Sequence, residues 1–365
     1  MKGEAGGPVG LRRLAVVLGT GGVGKTTISL ALAMGLAGRG CRVLLLTVDP
    51  ARRLYDLVGK SGATPDGLVV VRLETQESFR GLVTRYSESP QSAEGVLGSR
   101  FFPFLSDHLP GLNEYVTGEL VLEAHDSGNY DYIVLDTPPF SHALHYLEAP
   151  LRLGRMASTA MAIGAGPRGM SPLIRRGLSL FLGGGFLGEL LDFVNGFGEL
   201  WPHLQESSKR LASLYSEETS YIGVMVPEAR CTDELLALAD GAPPWLSFGT
   251  VVVNRSWVRG RSEGGGGDGG ADVVGRLPGC ACAEGTVREG IRAGLDTALA
   301  LASWKQAFER EALRKLRRSN RLAEADYVLL PNQVSSITGG RALSEMAELL
   351  VDGLGLHCGQ AEPDE

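Results

Sequence analysis

The run Gly19-Thr20-Gly21-Gly22-Val23-Gly24-Lys25-Thr26 fits the pattern G-x-x-x-x-G-K-[ST], and its residue types suit one chemistry. Small residues let successive backbone N–H groups converge on a phosphoryl oxygen, and the N-terminus of a following helix adds a favourable dipole. Lys25 then meets the β and γ oxygens of a nucleoside triphosphate, and the Thr26 hydroxyl reaches Mg²⁺. A glycine-rich tight turn would use the same glycines, but it has no need of the lysine–threonine pair or of a strand before and a helix behind. An acidic group is required as well. Asp136 ends the apolar run Tyr132-Ile133-Val134-Leu135, where a carboxylate can hold Mg²⁺ directly or through its water. The competing role for an aspartate in that place is to cap a helix.

These residues need a scaffold that brings them to one edge, and the chain supplies it. Residues 14–18 are a short apolar run ending in glycines, which predicts a strand buried on both faces. A helix is expected over about 25–37, closed by Gly38 and Gly40. Residues 42–47 repeat the buried-strand pattern, so the first fifty residues read as a βαβ unit with a right-handed crossover. Residues 222–226, 250–253 and 327–330 show the same pattern and end near Glu228, Asn254 and Pro331. The fold expected is α/β, a mainly parallel sheet flanked by helices, with its ligand outside the carboxyl ends of the strands. One domain spans 12–355. Helical periodicity over 158–217 predicts a helical insertion, whose leucine and phenylalanine stripe is either core or a groove for an apolar client helix. Residues 260–270 read as a flexible glycine-rich loop, 309–318 as a charged, solvated helical face, and 356–365 as a polar tail.

The formal charge of -7 over 365 residues argues against an extended nucleic-acid surface, so no nucleic-acid partner is expected. Five cysteines, odd in number and scattered, suit reduced thiols better than a disulfide framework. Residues 1–13 lack the apolar core of a leader, and the longer apolar stretches are too short to span a bilayer. A cytoplasmic protein is expected.

The double glycine of the loop resembles the deviant Walker A class of P-loop ATPases, and further segments resemble the ArsA family, which includes arsenite-pump ATPases and tail-anchored-protein-targeting ATPases. Thr47-Val48-Asp49-Pro50-Ala51-Arg52-Arg53-Leu54 is similar to the family's switch I. Asp136-Thr137-Pro138-Pro139-Phe140-Ser141-His142 is similar to its switch II pattern D-T-A-P-T-G-H. Pro110-Gly111-Leu112-Asn113-Glu114 and Val252-Val253-Asn254-Arg255 match two further elements. The resemblance implies ATP and Mg²⁺ as cofactors and residues 21–27 (Gly21, Gly22, Val23, Gly24, Lys25, Thr26, Thr27) as the nucleotide-binding loop. Asp49 becomes the carboxylate that positions the attacking water, with Lys25 as its catalytic partner. Glu228 contacts nucleotide, Asn254 reads adenine, and Thr26 with Asp136 holds the metal. His142 and His145 couple nucleotide state to helix movement. It further implies a dimer that closes on nucleotide, homodimer or heterodimer with a paralogous ATPase, serving an apolar-helix or membrane-protein client.

Two departures from the family pattern matter. A second lysine normally precedes the double glycine and reaches into the partner's site; this chain has Thr20, which carries no charge. Slow hydrolysis, substitution by Arg52 or Arg53, and a lysine-bearing partner chain each remain open. Targeting members also share zinc between two C-x-x-C pairs, whereas this chain has Cys280-Ala281-Cys282. Two cysteines are half of a tetrahedral site, so zinc at Cys280 and Cys282 and ordinary thiols are both open. An ATPase subunit energising an oxyanion pump, and a positioning ATPase of the ParA or MinD kind, are the alternative functions.

Overall fold

The computed structural model describes residues 10–47, 65–73, 75–103, 111–138, 147–155, 200–257, 285–332 and 340–356, and singly 144, 189, 193, 196 and 198. Its strands are β1 (Leu14–Gly19), β2 (Val43–Thr47), β3 (Leu68–Arg72), β4 (Tyr132–Asp136), β5 (Thr219–Met225), β6 (Phe248–Ser256) and β7 (Asp326–Pro331). Its helices are α1 (Lys25–Ala37), α2 (Thr75–Tyr86), α3 (Pro90–Gly98), α4 (Leu112–Ser127), α5 (Trp201–Glu217), α6 (Ala229–Gly241), α7 (Gly285–Arg317) and α8 (Gly340–Gly353); 147–155 is also helical.

All seven strands pair in parallel, in the order β3-β2-β4-β1-β5-β6-β7. The parallel sheet read from the sequence is therefore present. Strand β3 was missed by that reading, because it lies at the sheet edge with mixed exposure and lacks the uniformly buried pattern of its neighbours. The chain leaves β1 in one direction, toward β2, and crosses from β4 to β5 in the other. The crevice beyond β1 is thus the topological switch point, where open α/β sheets bind ligands.

Alternate residues of each strand serve opposite faces. Ala15, Val17, Leu45, Val134, Val224 and Val252 pack under α1 and α8. Leu14, Val16, Leu46, Leu135, Tyr221 and Val253 pack against α4, α5 and α6. Helix α1 is buried nearly all round, which needs close neighbours. Its Gly35 gives α8 room: a Cβ there would lie 2.4 Å from Val351 Cγ2 and 2.9 Å from the Ala347 carbonyl.

A third cluster joins Phe79, Phe102 and Tyr115 to Phe193, Leu200 and Leu204. Within the expected insertion, Phe193 and Leu200 are therefore core; residues 156–188 lie outside the described residues. Beside this cluster Glu119 accepts a hydrogen bond from the Tyr115 hydroxyl and lies 3.2 Å from His203 Nε2, which itself lies 3.2 Å from Ser207 Oγ. Burial pushes the Glu119 carboxyl up, but hydrogen bonds with His203, Ser207 and Tyr115 outweigh it and hold the group below its ordinary value.

Three expectations are corrected. Glu309 opens the stretch expected to be a solvated face, yet it is 0% exposed, because it caps the end of β6 rather than facing water. Leu356, first residue of the expected polar tail, is buried with α1 and α8; 357–365 lie outside the described residues. Cys41, expected as a free thiol, is disulfide-bonded, while Cys231 is free. Among the described residues no helix is long and apolar enough to cross a membrane.

Candidate functional site

The phosphate-binding loop runs from the end of β1 to the start of α1, and its backbone demands glycine. Gly22 and Gly24 have φ of 81° and 98°, the left-handed region that residues with a Cβ seldom adopt. At Gly24 the space is also taken, since a Cβ would lie 2.6 Å from Asn254 Nδ2. Gly24 caps α1 with no side-chain partner, so the N–H groups of the first turn face the loop's concavity without a competing side-chain acceptor at the cap. Such a cradle suits a phosphoryl group. Lys25 is buried at the first position of the helix, and its ammonium donates to the Thr20 carbonyl at 3.0 Å, so the cation sits folded over the loop it serves.

The magnesium-side group is built by register. Val17 of β1 and Thr47 of β2 both pair with Asp136 of β4, which aligns the three carboxyl ends. Asp136, 1% exposed, then accepts hydrogen bonds from Thr26 Oγ1 at 2.8 Å, Thr47 Oγ1 at 3.2 Å and Ser29 Oγ at 3.4 Å. A buried carboxylate is costly unless compensated, and three hydroxyls supply the compensation. The donor set is all oxygen, as a hard cation such as Mg²⁺ prefers, and the Thr26 hydroxyl is shared between the phosphate loop and the carboxylate. These residues fit the metal. Asp136 is thus placed at a strand end and engaged with the hydroxyls of Thr26 and Ser29 of α1 and of Thr47 of β2. Thr137 follows it and donates to the Val17 carbonyl at 2.7 Å, tying the chain to β1 before it leaves the sheet.

Other expected residues are placed as follows. Glu228 is the residue before α6, exposed, beside the carboxyl end of β5. Asn254 lies inside β6 and is buried. Its Nδ2 donates to the Val23 carbonyl at 2.8 Å and its Oδ1 accepts from the Arg255 N–H at 3.0 Å. Both ends of the amide therefore hold protein groups, and Asn254 acts as a clamp on the phosphate loop. Thr20 turns inward: its hydroxyl donates to Cys231 Sγ at 3.5 Å, toward α6. Asp49, Arg52, Arg53, His142, His145, Cys280, Cys282 and residues 260–270 lie outside the described residues.

Sequence reasoning missed several members. Thr47 and Ser29 complete the Asp136 group. Ser29 had a signal, being three residues beyond Thr26 on the same helix face. Arg255, with a φ of 58°, sends its guanidinium to the Gly22 carbonyl at 3.4 Å, putting a cation on the outer side of the loop. Beside it a cavity of about 360 Å³ opens along the carboxyl ends of β5, β6 and β7, lined by Glu228, Arg255, Trp257 and Asn332 and by Trp304 and Phe308 of α7.

Comparison with known proteins agrees with this architecture. Over 234 residues the chain is 30% identical to the ATPase GET3 of Phaeosphaeria nodorum, a match that takes in 59% of this chain and 68% of that protein. Over 264 residues it is 27% identical to an ATPase ASNA1 homolog of Entamoeba histolytica, covering 65% of this chain and 74% of the relative. The ATPase asna-1 of Caenorhabditis elegans is 28% identical over 199 residues, 48% of this chain and 55% of its own length. These matches span from about half to three quarters of the relatives. A family model described as anion-transporting ATPase, the ArsA ATPase model, matches residues 12–255, which include the phosphate loop, Asp136 and Asn254. On that match, which takes in well over half of its residues, the chain belongs to the ArsA family of ATPases.

Proposed function

We propose that the chain binds ATP with Mg²⁺ on residues 19–27, hydrolyses it to ADP and phosphate, and uses the nucleotide to close a dimer around a client. The observation that carries this reading is the Asp136 group, in which one buried carboxylate joins the phosphate loop through Thr26 to the neighbouring strand through Thr47.

In this reading the loop's backbone N–H groups and Lys25 hold the phosphoryl oxygens and balance their charge. Bound Mg²⁺ would supply further neutralisation between the phosphates, held by the Thr26 hydroxyl and, directly or through water, by Asp136. Asp49, two residues beyond the anchored Thr47, accepts the proton of the attacking water or orients it. Thr47 and Thr137 are anchored to Asp136 and to the Val17 carbonyl, and in this reading the segments that follow them in the sequence respond to nucleotide. Thr20, uncharged and turned toward Cys231, leaves the charge of a second lysine to be replaced. Arg52 or Arg53, or a lysine from a paralogous partner, fills that role, and otherwise turnover is slow. Glu228 approaches nucleotide from the β5 side.

The relatives named ATPase GET3 and ATPase ASNA1 homolog favour the targeting branch of the family, and in this reading the client is an apolar helix of a membrane protein. The family description favours a second reading, an energising subunit of an oxyanion pump. Calorimetry with Mg-ATP tests the core of the proposal: the purified chain takes up ATP, and Lys25→Ala does not. Light scattering of Asp49→Asn with ATP tests the rest, by trapping a closed dimer. Uptake that persists in Lys25→Ala would remove the loop from the account.

A further inference from the structure

The cavity beside the loop is walled on its far side by α7, and that wall is aromatic. Trp304 is 62% exposed and Phe308 38% exposed, although their rings lie one helical turn apart and stack at 6.0 Å between centroids. Large aromatic faces held toward solvent mark a binding surface, since covering them with an apolar partner is favourable.

The wall is also fixed in place. Glu309 accepts from the Ser256 hydroxyl and from the Trp257 N–H at 2.7 Å. Gln306 Nε2 donates to the Trp257 carbonyl at 2.9 Å, and Lys305 Nζ lies 4.4 Å from the centre of the Trp257 ring. Lys305, Gln306 and Glu309 thus pin α7 to the end of β6, and the neighbouring side chains Trp304 and Phe308 line the cavity with a preset geometry.

Position names the occupant. Arg255 lines the cavity and at the same time reaches the Gly22 carbonyl of the phosphate loop at 3.4 Å, so the two sites share a residue. A molecule whose phosphates lie in the loop therefore carries its remaining part to this cavity. The volume, about 360 Å³, falls at the small end of the range for ligand pockets. Asn254 has both ends of its amide engaged by the loop and by Arg255, which leaves the flat faces of α7 as the larger contact on offer.

We infer that Trp304 and Phe308 form the stacking wall for the nucleobase, and that they set affinity for the nucleoside part of the ligand independently of the phosphates. This rests on the phosphate-loop reading above. Base–aromatic stacking is sequence-tolerant and depends on the exposed ring face.

The test compares Mg-ATP with Mg-tripolyphosphate, which has the phosphates without the base, on the full chain by calorimetry. Trp304→Ala should weaken ATP on the order of ten-fold while leaving tripolyphosphate unchanged; Trp304→Phe should restore most of the loss. Tryptophan fluorescence should respond to ATP and not to tripolyphosphate. Because Trp304 stands mostly in solvent, its truncation should move Tm by no more than about 2 °C. ATP affinity unchanged in both Trp304→Ala and Phe308→Ala would overturn the inference, leaving the loop reading intact if Lys25→Ala still abolishes uptake. Equal loss of both ligands would also overturn it, by showing damage to the loop instead. Absence of ATP uptake by the unsubstituted chain would remove the loop reading first and this inference with it.

Discussion

At the phosphate end of the crevice Lys25, Thr26 and Asp136 are drawn together by strand register and a single loop, and their charges are mostly hidden. At the α7 end Arg255, Trp257, Trp304 and Phe308 come from β6 and from a helix nearly fifty residues further on, and their surfaces remain open. The first region holds its polar groups against one another, so that a substitution changes chemistry. The second is fastened by Glu309 and Gln306 and presents a passive face, so that a substitution changes stability or affinity. The contrast teaches that one crevice can separate the positioning of charge from the holding of a flat apolar group, with Asn254 and Arg255 as the residues that link the two.

The largest effect is expected from Asp136→Asn, which keeps the shape but removes the charge that Thr26, Thr47 and Ser29 compensate. Steady-state turnover should fall roughly 10²–10³-fold, with the Mg²⁺ concentration needed for half-maximal rate raised. Wild-type turnover would break the comparison at its charged end. Glu309→Ala should act on folding instead, because it leaves the Trp257 N–H without its acceptor. A loss of about 2 kcal/mol is expected, read as a Tm lowered by roughly 2–3 °C by calorimetric scanning. Unchanged Tm would mean α7 is not fastened there. Asn254→Ala tests the link: losing the hydrogen bond to the Val23 carbonyl should weaken ATP by about 1 kcal/mol, near five-fold by titration, and should weaken tripolyphosphate equally.

The smallest effect lies away from the crevice. Glu119 has a folded-state pKa below its ordinary value, so its stabilisation is complete above the unfolded pKa of about 4.3 and is lost as pH falls through the folded value. Glu119→Gln should therefore cost about 1 kcal/mol at pH 7 and flatten the acid limb of Tm against pH below about pH 4. Parallel acid limbs in the two proteins would show that this carboxylate contributes nothing there.

Much of the phosphate end was legible in the sequence because its residues are contiguous or stand at ends of uniformly apolar strands. The loop from Gly19 to Thr26 needs only local spacing, and Asp136 follows the three buried residues Ile133, Val134 and Leu135. Parallel strands buried on both faces also write themselves plainly, and the edge strand β3, half exposed, does not. The partners Thr47 and Ser29 were harder, since register between β2 and β4 decides that Thr47 meets Asp136. The α7 end was not legible. Glu309 sits in a run of charged residues that reads as a solvated face, and only tertiary contact with Ser256 and Trp257 turns it inward. Trp304 and Phe308 belong to no motif, because nothing in their spacing says that β6 and β7 end beside them. Asn254 is expected to read a base through the family resemblance; that its side chain also ties to the Val23 carbonyl of the loop is something no motif encodes.

The account stands or falls on whether the loop around Lys25 processes a nucleoside triphosphate. Release of inorganic phosphate from Mg-ATP, followed with the purified chain and with Lys25→Ala under identical conditions, measures this directly. The account predicts saturable release by the chain and at least a roughly hundred-fold lower rate in the variant. Equal rates in the two proteins would contradict it.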